Sequence, residues 1–409
     1  MNPGKKLSYL YRRIVTRALA RSARKIGADR AALARADRPV RLVLLICRPH
    51  DIDLYLDIWK LAQLDEGLEI RFWIRKKALE KFPVTKKLLK QHGMQVDFVA
   101  RHGNLSMAVE RFREIDALLN TVETSFASHK IAFRLVQLAN AAGILTYTLQ
   151  HAFENIGLTS TDPAFDSPNI TFAAGKIFTW GPVDKLTGRP HPETVKKCVP
   201  VGCPKLHLQA SGKTADDRER QQPLIAIFEG LHAKRFDEGY TRKFFMDLQE
   251  SASRFRDLLF ILKPHPNVLA RSSTHTTLLN ELKRVQVIDP AASGNAFSMT
   301  TPELLDRALA VITTPSTVAL DAAINNTPAA VTRYHQPMRF YEIYEPLPLL
   351  RSSADWQRFL EQVMNDPKPL EIQTARFLAR KVVPGNAAEK ILQIIKSDCL
   401  YNREKTGAV

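Results

Sequence analysis

The stretch AVITTPSTVALDAAINNTPAAVT, residues 310–332, decides the fold. Residues 310–313 and 329–332 are short apolar runs of strand length, and residues 317–325 between them carry helical spacing. Two strands joined through one helix make a βαβ unit, and strands joined that way run parallel. The rhythm repeats in both directions. Upstream, strands are expected at 224–228, 258–262 and 285–288, alternating with helices near 239–252, 275–283 and 302–308. A first cycle precedes it, with strands at 42–47, 69–74, 95–98, 117–120 and 145–149 and helices around 53–64, 83–92, 105–113 and 128–142. The spacing therefore predicts an α/β protein with two Rossmann-like, doubly wound domains.

A chain of 409 residues exceeds what one hydrophobic core organises, which agrees with two domains and a cleft between them. The expected division is a basic amphipathic extension over 1–40, a first domain over 41–206 and a polar, aperiodic linker over 207–222. A second domain over 223–352 and C-terminal helices over 353–409 follow, the helices packing back on the first domain. Hydrophobic content of 45% and charged content of 25% are ordinary for a globular protein. The longest apolar runs are strand-length, far below the roughly 20 residues that span a bilayer. The N-terminus lacks the apolar stretch and cleavage site of a secretory signal, so a cytoplasmic location is expected. Cys47, Cys198, Cys203 and Cys399 form no CxxC pair and read as reduced thiols.

The net charge of +17 is concentrated at one end. Residues 1–41 carry twelve Lys or Arg against Asp29 and Asp37 alone. Leu7, Leu10, Tyr11, Ile14 and Ala18 follow helical spacing, with Arg12, Arg13, Arg17, Arg21, Arg24 and Lys25 beside them. Two readings stand side by side. The helix lies on an anionic membrane surface, making the protein peripheral on the inner face of the cell membrane, or it packs on its own domain.

In open parallel sheets, ligands collect beyond the carboxyl ends of the strands. Polar residues gather at those ends here. His50 and Asp51 follow the first strand, and Gln150, His151 and Glu154 follow the fifth. Glu229 and Gly230 follow the first strand of the second cycle, and Lys263, His265 and Pro266 the next. Thr314, Ser316 and Thr317 precede a helix that carries Asp321 one turn in. Hydroxyls and backbone N–H groups at a helix start suit phosphate oxygens, and a carboxylate one turn on suits ribose hydroxyls. Lys263 and His265 add positive charge and donors, and Pro266 stiffens the turn. For proton transfer His151 has the most suitable intrinsic pKa, with Glu154 and Glu229 as competing carboxylates, and the three are left unranked. Taken singly each residue has a plainer role as a cap or surface hydrogen-bonder, and their coincidence at strand ends is what points to a site. HExxH, a calcium loop, a flanked DxD, a P-loop, GxGxxG and GxSxG are all absent, so neither a metal nor a cofactor is expected.

Four segments carry a family resemblance: LQHAFENIG (149–157), IFTWGP (177–182) with VGCPKLH (201–207), LKPHP (262–266) and TTPSTVALDAAINNTPAAV (313–331). There the chain resembles the GT-B transferases of bacterial surface polymers, above all the group of capsular β-Kdo transferases and CDP-glycerol glycerophosphotransferases. Ala152 and Lys205 depart from the residues common there, and the FEG at 228–230 offers only part of the acidic-acidic-glycine motif of the more distant bacterial polysialyltransferases. The resemblance implies a GT-B fold whose domains face a cleft, and a metal-independent glycosyltransferase. It would take a nucleotide-activated sugar or polyol donor, CMP-Kdo or CDP-linked, and a glycan or glycolipid acceptor in capsule or lipopolysaccharide synthesis. It also implies that His265, Ser316 and Thr317 contact the donor's phosphate or cytidylyl group. Two alternatives remain. A nucleotide-sugar 2-epimerase shares the two-domain plan but needs no acceptor. A nucleic-acid-binding protein would use the Arg-rich tail, though no nucleic-acid motif is present and no such partner is expected.

Overall fold

The structure, a computed structural model, describes residues 3–33, 38–81, 83–100, 104–161, 167–207, 222–231, 236–265, 272–288, 299–334 and 339–405. The chain divides into two compact units. One comprises Met1–His207 with Val382–Val409, and the other Leu208–Lys381.

In the first unit β1 (Val40–Ile46), β2 (Leu68–Arg75), β3 (Val96–Ala100), β4 (Ala117–Asn120), β5 (Leu145–Leu149), β6 (Lys176–Thr179) and β7 (Cys198–Pro200) form one parallel sheet. Its order is β3-β2-β1-β4-β5-β6-β7. The chain starts in the middle, builds to one edge, then returns to the other side of β1, so the connections reverse between β1 and β4. The run VRLVLLI of β1 is almost wholly buried because both faces of the sheet are covered. The first five strands lie where the apolar runs predict them, whereas β6 and β7 are additions. KIFT and CVP are short and sit among Gly and Pro, so only pairing with β5 and with each other marks them as strands.

Val43, Leu45 and Leu118 of the sheet pack with Leu135, Val136 and Ala139 of the helix Lys130–Ala141. The N-terminal helix Pro3–Leu33 joins this core through Ala23 and Ile26. It lies close: a Cβ on Gly27 would stand 3.1 Å from the Ala142 backbone. Over this stretch the helix therefore packs on its own domain, with Arg17, Arg21, Arg24 and Lys25 exposed. The side chains of Leu7, Leu10, Tyr11 and Ile14 lie outside the described ones. No helix among the described residues is long and apolar enough to cross a membrane.

The C-terminal helix Ala387–Lys405 belongs to this unit. Lys396 bridges to Asp65 at 2.7 Å, Lys176 to Asp398 at 2.7 Å, and the Tyr147 hydroxyl donates to Asp398 at 2.9 Å.

In the second unit β8 (Leu224–Glu229), β9 (Leu259–Pro264), β10 (Val285–Val287), β11 (Ala308–Thr313), β12 (Ala329–Thr332) and β13 (Leu349–Leu350) are again parallel, in the order β10-β9-β8-β11-β12-β13. The reversal here falls between β8 and β11. Ile225, Ile227, Phe260 and Ile312 meet Phe244 and Leu248 of the helix Glu238–Arg254. Trp356, Phe359, Leu360 and Val363, spaced along one face of the helix Ser353–Asn365, complete the core. That stripe keeps residues 353–381 with the second unit, so the expected C-terminal segment 353–409 is divided between the two. Residues 208–221, most of the expected linker, lie outside the described residues.

Candidate functional site

The reversal points put two sets of loops where ligands of such sheets bind. In the first unit β1 runs into Cys47 and Arg48, and the helix His50–Ala62 begins at once. Asp51 is fully buried in its first turn. Its Oδ2 accepts the N–H groups of Cys47 (2.7 Å) and Arg48 (2.8 Å), and its Oδ1 accepts the Thr121 hydroxyl at 2.5 Å. One carboxylate thus ties the loop after β1 to the loop after β4 across the reversal.

Three imidazoles gather around this knot. The rings of His50 and His151 stack with centroids 5.7 Å apart and planes 24° from parallel. His129 ends the short turn Ala127–His129, with Nδ1 2.8 Å from Thr124 Oγ1 and Nε2 3.4 Å from Arg48 Nη2. A guanidinium only donates, so Nε2 of His129 accepts and the ring proton sits on Nδ1, donated to Thr124. His151 Nδ1 lies 3.1 Å from Asn155 Nδ2. Burial, then the neighbouring His50, Arg48 and His129, holds the pKa of His151 well below the usual imidazole value. Burial and Arg48 push His129 down to about 4. Burial also lowers His50, opposed by Asp51 and reinforced by Arg48 and Lys205. At pH 7 the cluster is therefore neutral imidazole beside a permanent guanidinium charge. Glu154 is half-buried in the same loop as His151.

Glu123, also in the loop after β4, is fully buried. It accepts the Ala173 N–H (3.0 Å), the Ala174 N–H (2.8 Å) and the Thr148 hydroxyl (3.1 Å), which anchors the approach to β6. Burial outweighs those bonds and pushes its carboxyl up to about 7. The folded state then binds this proton more tightly than the unfolded chain, whose value is ~4.3. Stability is greatest below that value and falls as pH climbs to about 7, by roughly 4 kcal/mol at ~1.4 kcal/mol per pH unit. Glu123→Gln is expected to flatten this slope when urea unfolding is measured at pH 5 and pH 8. Equal slopes for the two proteins would sink the assignment.

In the second unit Glu229 ends β8 and is buried. Its Oε2 accepts the Leu231 N–H at 2.8 Å, and its Oε1 lies 3.0 Å from Nε2 of the buried His275, close but out of hydrogen-bond alignment. The expected trio is thus divided: His151 and Glu154 share one loop, while Glu229 belongs to the other unit and is engaged within it. The Glu229 carbonyl accepts the N–H of His265, whose side chain is exposed. Thr314 joins the loops after β8 and β11, its N–H donating to the Phe228 carbonyl (3.0 Å) and its Oγ1 accepting the Gly230 N–H (2.9 Å). Ser316 Oγ sits 3.0 Å from Thr313 Oγ1 and accepts the Val318 N–H at 3.2 Å. Thr317 precedes the helix Val318–Ile324, which carries Asp321 half-buried in its first turn. Lys263 donates to the Met299 carbonyl at 2.7 Å, and burial, opposed by Glu303, lowers its pKa to about 8. Pro266 lies outside the described residues.

The sequence reading placed His50 and Asp51 at a strand end but left them out of the site, and it missed Arg48 and His129. Arg48 and His50 flank Pro49 directly after β1, so the strand-end rule reaches them. His129 lies well beyond β4 and arrives only because the turn Ala127–His129 folds back, which no local pattern signals.

No protein-family model and no curated protein matches this sequence. Solved structures do match along most of the chain. A UDP-GlcNAc 2-epimerase from Neisseria meningitidis bound to UDP-GlcNAc matches with TM-score 0.62 and 12% identity, over 88% of this chain and 100% of that one. MnaA of S. aureus with UDP matches with TM-score 0.60 and 13% identity, over 88% and 96%. A Methanocaldococcus jannaschii UDP-GlcNAc 2-epimerase in complex with UDP-GlcNAc and UDP matches with TM-score 0.55 and 13% identity, over 88% and 100%. The protein therefore has the GT-B-like fold of two Rossmann-like domains.

These matches correct the family resemblance. The neighbours in fold are mostly UDP-GlcNAc 2-epimerases, with a glycosyltransferase from Rickettsia africae among them, and not the capsular β-Kdo transferase and CDP-glycerol glycerophosphotransferase group. The expected glycosyltransferase activity falls with it, as do the CMP-Kdo or CDP-linked donor, the glycan or glycolipid acceptor and the capsule or lipopolysaccharide setting. The physical reason is that polar residues at strand ends report where a sheet of this order gathers its loops. They carry no information about a second substrate.

Proposed function

We propose that this protein is a nucleotide-sugar 2-epimerase, inverting the carbon next to the anomeric carbon of a UDP-linked sugar. The observation that carries this reading is the group of neutral imidazoles, His50, His129 and His151, at the reversal point of the first sheet. Inversion at carbon requires a proton to be taken and returned near pH 7, which is imidazole chemistry. The likeness in fold to 2-epimerases supports the substrate class.

The hydrogen on C2 is not acidic, because its neighbour is an acetal carbon rather than a carbonyl. Its removal becomes feasible when the bond from C1 to the diphosphate oxygen breaks with it. The proton passes to a protein base, the C–H electron pair becomes the C1=C2 bond, and the C1–O pair leaves on the diphosphate. Re-addition of the diphosphate to C1, with a proton delivered to the opposite face of C2, returns the epimer. Nothing is gained or lost, so neither an acceptor nor an oxidant is needed.

The test is incubation with UDP-GlcNAc, and separately with its 2-epimer, in D2O under proton NMR. The expected result is approach to one mixture from both sides with deuterium appearing at C2. Protein that binds UDP yet yields neither epimer nor deuterium would overturn the proposal.

A further inference from the structure

The three imidazoles are not equally free to carry a proton. His129 is engaged at both nitrogens, by Thr124 and by Arg48. His151 is engaged at Nδ1 by Asn155, and its ring also bonds the Thr121 backbone. His50 differs from both. Its side chain is 38% exposed, its Nε2 is buried without a hydrogen-bond partner, and Nε2 lies 3.6 Å from Asp51 Oδ1. Its Nδ1 makes no hydrogen bond among the described residues.

Asp51 is pinned by the Cys47 and Arg48 N–H groups and the Thr121 hydroxyl, so it presents a fixed carboxylate edge to Nε2. That edge favours the ring proton on Nε2 and leaves the lone pair on Nδ1. The flat face of His151 beneath the ring fixes its tilt. The charged groups around His50 are Arg48, Asp51 and Lys205, the last from the turn Pro204–His207. Arg48 and Lys205 oppose a positive ring, and Asp51 favours one, so the ring is neutral at rest yet able to accept a proton.

We infer that His50 is the imidazole that takes the sugar's C2 proton, on Nδ1, with Asp51 and His151 as the residues that position it. The inference rests on the 2-epimerase reading. In the forward step the C2–H bond breaks, the proton bonds to Nδ1, and the electrons leave through C1–O onto the diphosphate. In the reverse step the imidazolium returns the proton to the same face.

His50→Ala tests this, with His50→Gln in parallel because the amide keeps bulk and polarity without exchanging a proton. Both variants are expected to lose roughly 100-fold in the rate of C2 deuterium exchange while UDP affinity stays within ~3-fold. Added imidazole is expected to restore part of the His50→Ala rate, which a merely structural role would not allow. If the wild-type protein exchanges and the variants keep pace with it, or if the loss resists imidazole, the inference fails alone. If the wild-type protein binds UDP but exchanges nothing, the 2-epimerase reading fails and takes the inference with it.

Discussion

Asp116→Ala is expected to destabilise the first domain by about 3–5 kcal/mol, because it removes the carboxylate shared by the buried Arg403 and the part-buried Arg30 and Arg38. Asp116 is 9% exposed and lies just before β4, at the end of the sheet away from the candidate site. Arg38 grips it with both terminal nitrogens, at 2.7 and 2.9 Å, Arg403 reaches it at 3.1 Å, Arg30 at 3.4 Å, and the Arg41 N–H donates at 3.0 Å. Arg403 comes from the C-terminal helix, with a side chain only 7% exposed, and also donates to the carbonyls of Arg38 and Pro39. One carboxylate thus fastens the N-terminal helix, the entry to β1 and the C-terminal helix together. Without it, the buried Arg403 loses its bond to Asp116 and keeps those to the two carbonyls.

The acid dependence of this effect has a definite sign. Burial pushes the Asp116 carboxyl up, but the Arg41 N–H and the guanidiniums of Arg38 and Arg403 outweigh it and hold the pKa below the ordinary value. A carboxyl depressed in the folded state stabilises above its unfolded pKa of ~3.9 and loses that contribution as pH falls through the folded value. Urea midpoints of the two proteins are therefore expected to differ most near neutrality and to converge in acid. A gap within ~1 kcal/mol at pH 7 would mean that the cations find water or other partners once the carboxylate is gone.

Gly202→Ala is the second large effect, about 3 kcal/mol, from backbone strain and a clash that add. Gly202 holds φ at +101°, and a Cβ there would stand 2.7 Å from the Val383 carbonyl oxygen. Val383 is where the chain rejoins the first unit, its N–H bonded to the Trp180 carbonyl at 2.8 Å. The alanine cannot be accommodated by a rotamer change, since the obstacle is main chain. Gly93→Ala separates the two contributions, because Gly93 also has positive φ, +66°, but open space around it. Thermal unfolding is expected to drop much further for Gly202→Ala, with faster proteolysis near residue 382. Equal shifts for the two variants would remove the clash from the account.

Both large effects depend on the return of the C-terminal helix to the first domain, and the sequence speaks only partly to that. Its apolar positions say that the segment packs, whereas the partners of Asp116 come from residues 30, 38, 41 and 403. No periodicity connects Asp116 to Arg403. The Gly202 turn lies inside VGCPKLH, a segment that looked like a family signature, and its geometric demand on Val383 is invisible in one dimension.

What the sequence determined by itself is the alternation of strands and helices, and through it the parallel doubly wound sheets. Each rests on a local period: β1 and β11 are apolar runs of strand length, and the intervening helices repeat their apolar residues every three to four positions. It also determined where to look, because strand ends are legible and His151, Glu229, Thr314 and Ser316 fall on them. Only the tertiary structure decided which of these side chains keep company. It set Glu229 against His275, brought His129 and Arg48 to His151, and divided the C-terminal segment between the two units. The physical reason is that a side chain's neighbours and protonation follow from burial and from contacts between loops far apart in the chain. Secondary structure, in contrast, is set by the few residues adjacent to it.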